Sequence, residues 1–369
     1  VAIPHSASAP APLRAHGIDT RIHGLRGICA LMVFCYHAYY GLLDKGVIAA
    51  PAPLPVDTFF YALQCGVDFF FMISGYLIMG SLVRHGAFST FMVDRLIRIV
   101  PAYYAPVLIA FVAAGVAGYH GFLVDNDPQN WTSSLVSNLL FYAEFLYKKH
   151  ALPVAWSLDY EMAFYLLAGT CFTVGLWFGR RAAILLAVVV SLPLLITLPR
   201  FACFVCGVLA FFTFETASRS RLTDPRLCLA YFALTLAATT ALLPDLAPTL
   251  LLAILPGYLF FVSLLRNEGM TAGALRWAPI QYVGTISYSF YLWHIVMMAA
   301  AKLVIGLPVI RDQGATVRSI VFVLIALAGT LVVSTISYQV LEARLGRILR
   351  TRLVRRPPTR IAAAAPAAS

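Results

Sequence analysis

The sequence predicts an all-α fold: a polytopic membrane helix bundle of about ten crossings plus one re-entrant or interfacial segment. Three observations predict it. Hydrophobic residues make up 61% of the chain and charged residues only 12%, against about 25% charged in a soluble domain, and the mean hydropathy is +0.83. Apolar runs near the roughly 20-residue length of a spanning helix recur along the whole chain. The lysines and arginines fall mostly in alternate loops, as the positive-inside rule requires. The net charge of +11 therefore reads as loop charge, and no nucleic-acid-binding motif accompanies it.

The elements follow in order. Residues 1–20 contain the Ala/Pro-rich stretch ASAPAPL and read as an unstructured tail. The membrane domain spans 21–343. Its runs lie at 22–43, 58–83, 101–118, 157–178, 182–198, 200–216, 227–243, 247–265, 279–305 and 317–341. The first is long enough to remain as an anchor, so no cleavable signal peptide is expected. The segment 133–147, SSLVSNLLFYAEFLY, is shorter and more polar. If it does not cross and the N-terminus is cytoplasmic, roughly 20 of the basic residues lie inside and roughly 7 outside, whereas a crossing would put roughly 15 outside. It therefore reads as a segment on the outer side that is buried in protein or lines a wet cavity. Residues 344–369 read as a basic, then Ala/Pro-rich, cytoplasmic tail. No internal repeat is visible, which disfavours transporter folds built from repeats. The seven cysteines sit almost entirely in apolar runs and read as small hydrophobes. Cys203-x-x-Cys206 lacks a second ligand pair, so no metal site is expected.

Ionisable residues inside a membrane are costly and tend to be functional. In RGICALMVFCYH, Arg26 and His37 are eleven residues apart, almost three helical turns, and so share a face at about 16 Å separation. Arg26 belongs at the cytoplasmic mouth and His37 near mid-membrane. GVDFFFMISGYLI brings Asp68 to a comparable depth from the outer side, where a carboxylate could hold His37 in one tautomer for general-base work or simply bond a backbone gap. Arg95 and Arg98 are at i, i+3 and share a face. They suit a phosphate gripped bidentately, although Asp94 could pair with Arg98. In AWSLDYEMAFYLL, Glu161 lies one turn into the membrane and should face a cavity, with Asp159 nearer the surface. In GTISYSFYLWHIV, His294 is accompanied by Tyr288 and Tyr291, whose faces and hydroxyls suit a sugar wall or an interfacial aromatic belt.

Taken together these stretches resemble acyltransferase family 3, the bacterial integral-membrane O-acyltransferases. The likeness runs from about residue 22 to 341. It rests on Arg26-x10-His37, on GVDFFFMISGYLI, on Arg95-x-x-Arg98 followed by Ile99 and Pro101, and on WSLDYEMAFYLL with ISYSFYLWH. The blocks stand in the family's order. One departure is Met162, where the family's common WSLxxEEQFYLL form has a second acidic residue. Some members carry a soluble esterase-like domain at the C-terminus; the short basic tail here implies a stand-alone member.

The resemblance implies acyl transfer, acetyl by default, from a cytoplasmic acyl-CoA to a hydroxyl, usually of an exported sugar. No permanently bound cofactor is expected; acetyl-CoA is a co-substrate. Arg26, Arg95 and Arg98 would hold its phosphates. His37 would be the general base, or be transiently acylated, with Asp68 orienting it. Glu161, Tyr288, Tyr291 and His294 would meet the acceptor, and Glu161 could also orient His37. The expected partners are acyl-CoA, a glycan or lipid-linked oligosaccharide and membrane lipid, in a bacterial inner membrane with both termini cytoplasmic. A secondary-metabolite sugar as acceptor and succinyl as the acyl group stay open. A transporter or flippase is the rival from another class.

Overall fold

The computed structural model describes residues 19–117, 131–241 and 246–353, and within them the chain is helical, with no strand. The tail 1–18 and residues 354–369 lie outside the described residues. Eight helices are long and apolar enough to cross a membrane. They include α1 (Thr20–Asp44), a run of α2 (Leu54–Ala62) and α3 (Gly66–His85) joined by a 3-10 turn, and α4 (Phe88–Ala117). A short helix α5 (Trp131–Leu139) precedes α6 (Trp156–Phe178), α7 (Arg180–Thr197) and α8 (Ala202–Ala217). Next come α9 (Cys228–Ala241), α10 (Leu246–Arg266), the six-residue α11 (Met270–Leu275) and α12 (Ala278–Ile305). The four-residue α13 (Pro308–Arg311) leads into α14 (Ala315–Ser337), which continues through a π-helical segment, Tyr338–Leu345, into α15 (Gly346–Leu353). The ten apolar runs thus each become helix. Of these, α9 has only 14 residues in its described part, short of a spanning length, and α10 has 21.

The bundle turns apolar side chains outward as well as inward, as lipid demands. Leu185 and Ile196 of α7 and Phe212 of α8 are exposed, and α7 carries no buried residue at all. The polar residues go inward. The segment 133–147 does not span: α5 has nine residues, about 14 Å of helix, and then turns back. Buried Asn138 holds that turn. Its amide nitrogen donates to the carbonyls of Ser134 (2.9 Å) and Lys149 (3.1 Å), and its oxygen accepts from the Ala151 N–H at 2.8 Å. The α4 hydroxyls of Tyr103 and Tyr104 donate to the carbonyls of Asn138 and Leu139, which end α5 without an intrahelical partner. Asp159, expected nearer the surface, is fully buried and accepts from the Glu144 N–H at 2.8 Å.

Helices in lipid have little hydrophobic drive to associate and pack through small residues. Two crossings here depend on glycine. A Cβ on Gly207 of α8 would stand 2.1 Å from the Met72 carbonyl oxygen of α3. A Cβ on Gly27 of α1 would be 2.4 Å from the Ile280 oxygen, and one on Gly284 of α12 would be 2.3 Å from the His23 oxygen. The second crossing is a parallel pair in fixed register. Gly27 faces Gly284, His37 faces His294 at the same 257-residue offset, and Asp44 reaches Lys302 beyond them.

Two outcomes follow for thermal unfolding in detergent. Gly284→Leu should destabilise the protein by about 1–3 kcal/mol through overpacking, whereas Gly273→Ala, with nothing within 4 Å of the new Cβ, should not. Asn138→Ala takes the acceptor from the buried Ala151 N–H and one donor each from the Ser134 and Lys149 carbonyls, and should cost about 1–3 kcal/mol.

Candidate functional site

The polar residues singled out in the sequence fall into two groups. The first surrounds a partly open cavity between α1, α3, α4, α6 and α12. Arg26, Arg95 and Arg98 line it together with Ser74, Glu161, Tyr165, Tyr288 and Tyr291. The i, i+3 spacing on α4 does bring Arg95 and Arg98 to one wall, and the α1–α12 contact brings Arg26 to face them. Asp94 does not take Arg98. It pairs with Arg95 at 3.1 Å and with Arg350 of α15 at 2.7 Å. Among the described residues neither Arg26 nor Arg98 has a carboxylate within ion-pair distance, and the buried Nε of Arg95 has no hydrogen-bond partner. Three guanidiniums around one space, two of them unpaired, make a site for a polyanion such as a phosphate or diphosphate.

Glu161 belongs to this group and not to His37. Its Oε1 accepts from the hydroxyls of Ser74 (3.0 Å) and Tyr165, which hold the carboxylate in the wall of the arginine cavity. Tyr288 donates to the Ile99 carbonyl at 3.0 Å, and Tyr291 donates to the Val154 carbonyl at 3.0 Å and meets Ser157 at 2.8 Å. The expected sugar wall of Tyr288 and Tyr291 is therefore a wall of the cavity that holds the cations. Their hydroxyls are already engaged.

The second group is a pair of imidazoles. His294 Nε2 lies 3.3 Å from His37 Nδ1, with ring centroids 5.2 Å apart. Nδ1 of His294 also lies 2.7 Å from the Tyr291 carbonyl, and Nδ1 of His37 lies 2.9 Å from the Val33 carbonyl. A carbonyl can only accept, so in the neutral pair Nδ1 of His294 carries the hydrogen and its Nε2 is a lone pair. Nδ1 of His37 then carries hydrogen too, shared between Val33 and His294. That leaves Nε2 of His37 as an unprotonated nitrogen, the form a base or nucleophile requires. Neither histidine lines the cavity. Tyr291 stands between, edge-on to Phe70 at 6.0 Å on one side and 5.8 Å from the His294 ring on the other.

Asp68 departs from expectation. It is buried, but its partner is Arg200, with Oδ1 3.4 Å from Nη1. The orienting contact expected of it at His37 is made by His294 instead. The cause is rotational: α3 turns Asp68 toward the 3-10 turn before α8, where Arg200 also donates to Gln64 at 2.6 Å and lies over the Trp156 ring at 5.4 Å. Arg200 itself gives little sequence signal, since it sits in the short break LPR between two apolar runs. Glu342 was missed as well. The π-helical segment, a feature that often marks functional sites, turns it inward, where it accepts from the Ser289 hydroxyl at 2.6 Å and offers counter-charge to Arg98 and Arg26. In sequence it reads as the start of a basic tail.

Comparison with known proteins bears on this geometry. The family model described as an acyltransferase domain, acyltransferase 3, matches residues 19–339. Peptidoglycan O-acetyltransferase OatA of Listeria monocytogenes is 23% identical over 366 residues, covering 87% of this chain and 54% of that protein. The putative peptidoglycan O-acetyltransferase YrhL of Bacillus subtilis is 25% identical over 336 residues, covering 78% and 50%. The chain thus spans about half the length of these curated relatives. No solved structure matches it.

The cationic cavity should bind inorganic pyrophosphate in detergent solution, more weakly at high salt. Arg98→Gln should weaken that binding tenfold or more, which is about 1.4 kcal/mol, as isothermal titration would read it.

Proposed function

This chain belongs to the acyltransferase domain family, and from that premise we propose that it is a membrane O-acyltransferase that moves an acetyl group from cytoplasmic acyl-CoA to a hydroxyl of a cell-surface or exported glycan. The observation that carries the proposal is the pairing of a cavity with three guanidiniums at one end and an imidazole with a free Nε2 beyond its far wall. Support for acetyl and for a glycan comes from relatives that bear the name peptidoglycan O-acetyltransferase. The positive-inside rule favours the arginine end on the cytoplasmic side, with both termini there and the protein in a bacterial inner membrane.

In this reading the diphosphate and ribose phosphate of acyl-CoA lie against Arg26, Arg95 and Arg98, where charge-assisted bonds replace the missing carboxylates. Glu161 and Glu342 offset part of the positive charge of Arg26 from nearby. The pantetheine arm is slender and extended. It runs past Tyr288 to the Phe70–Tyr291 pair, and a ring rotation there brings the thioester to His37. Nε2 of His37 takes the proton of the acceptor hydroxyl as its oxygen attacks the thioester carbonyl carbon. The carbon–sulfur bond breaks, the imidazolium returns the proton to the departing thiolate, and ester and free CoA leave on opposite sides. The lone pair of His294 Nε2 keeps Nδ1–H of His37 in place through the cycle, as a positioning residue.

Incubation of the purified protein with labelled acetyl-CoA and a glycan should yield a labelled ester, where a transporter would consume no acyl-CoA. His37→Ala should lower turnover by a factor of about 10²–10⁴, the range of a general base, with the fold intact. Full activity in that variant would remove His37 from the mechanism. Arg95→Ala and Arg98→Ala should act mainly on KM for acyl-CoA. His294→Phe should lower kcat, and His294→Gln, whose amide oxygen can accept in place of Nε2, should recover part of it.

A further inference from the structure

The sequence offered Tyr288 and Tyr291 as the acceptor's wall, yet both face the arginine cavity. His37 is half-buried, and a different set of rings stands beside it. Tyr36 meets His37 edge to face at 4.9 Å. Tyr40, one turn further along α1, is 4.9 Å from Tyr36. Tyr61 of α2 lies 6.4 Å from Tyr36 and 6.5 Å from Tyr40. All three tyrosines are half-buried, and none takes part in the arginine cavity.

An interfacial aromatic belt would be the ordinary explanation, and the geometry of α2 speaks against it. Phe59 is 54% exposed, so its side of α2 faces away from the bundle. Tyr61, two residues and about 200° beyond Phe59, turns the other way and packs on the α1 tyrosines. The polar groups around the cluster are poised and incompletely used. Asp57 accepts from Tyr39 (3.0 Å) and Tyr40 (3.4 Å) through Oδ1 alone. Gln64 spends its oxygen on Arg200, which leaves its amide hydrogens. The hydroxyls of Tyr36 and Tyr61 have no hydrogen-bond partner among the described residues.

Aromatic faces beside a carboxylate and an amide fit one chemical class well. A pyranose ring has an apolar C–H face that lies flat on an aromatic ring and a rim of hydroxyls for planar polar side chains. We propose that Tyr36, Tyr40 and Tyr61 form the platform on which a pyranose unit of the acceptor stacks, with Asp57 and Gln64 binding its hydroxyls, so that one hydroxyl is presented to His37. This rests on the reading of His37 as the base. It assigns the acceptor to the end of the molecule opposite the arginines, in a site separate from the donor's.

Two measurements test it. Saturation-transfer NMR with the detergent-solubilised protein and soluble pentasaccharides, cellopentaose and chitopentaose, reads binding without turnover. The ring protons should show saturation with wild type and with Tyr61→Phe. They should lose it in Tyr36→Ala and Tyr61→Ala and keep it in Trp177→Ala, a control aromatic that is 76% exposed on the lipid face. In the acetyl-transfer assay, Tyr61→Ala should raise KM for the oligosaccharide tenfold or more while KM for acetyl-CoA moves less than twofold. Unchanged saturation and unchanged acceptor KM in both alanine variants would overturn the proposal, as would a Tyr61→Phe variant that is as impaired as Tyr61→Ala. A protein that never consumes acetyl-CoA would defeat the acyl-transfer reading, while the NMR arm would still decide the sugar platform.

Discussion

The constraint on which the rest of the structure depends is the close approach of α1 and α12 through Gly27 and Gly284. Helix association in lipid draws on packing more than on the exclusion of water, so a backbone-to-backbone contact of this kind fixes both distance and rotation. Because the two helices run parallel, the register set at the glycines persists along them. Ten residues further on, about 15 Å along the axis, it sets His37 against His294. The same contact turns Arg26 toward α4 and closes the cationic cavity. Two small residues therefore determine where both halves of the site lie.

Burying this much charge has to be compensated locally. The structure does so unevenly. Asp68 and Arg200 pair with one another, Asp94 is shared by Arg95 and Arg350, and each ring of the imidazole pair has its Nδ1 against a backbone carbonyl. The arginine cavity is the place left incomplete, with two cations, Arg26 and Arg98, that have no ion pair among the described residues. Glu161 and Glu342 offset part of that charge from a distance. A site prepared for an anionic guest needs this imbalance, since fully paired arginines would have to break contacts before binding.

The helical architecture was legible in the amino acids, and so was the identity of most polar residues. The reason is that the membrane penalises charge so heavily that Arg26, His37, Asp68, Glu161 and His294 stand out against an apolar background. The shortness of 133–147 and the positive-inside count together gave its failure to cross. What could not be read was which residue meets which. A helix apolar all round has no amphipathic stripe to fix its rotation, so Asp68 could face α1 or α8, and Glu161 could face either end of the bundle. Both choices went against expectation. Glu342 was hidden because a π-helical turn shifts every side chain after it by a fraction of a turn, which no 3.6-residue pattern anticipates. The tyrosines beside His37 were equally silent, since an aromatic near the membrane surface has an ordinary explanation by default.

The Phe70–Tyr291 contact bears on insulation as well as on packing. An open water-filled bore from the arginines to the tyrosines would let protons and small ions run down the electrical gradient, worth about 2.3 kcal/mol per charge for each 100 mV. The two rings instead set an apolar septum between the arginine cavity and the imidazole pair. Were the chain to carry out the proposed transfer, such a septum would leave no continuous path for ions beside it.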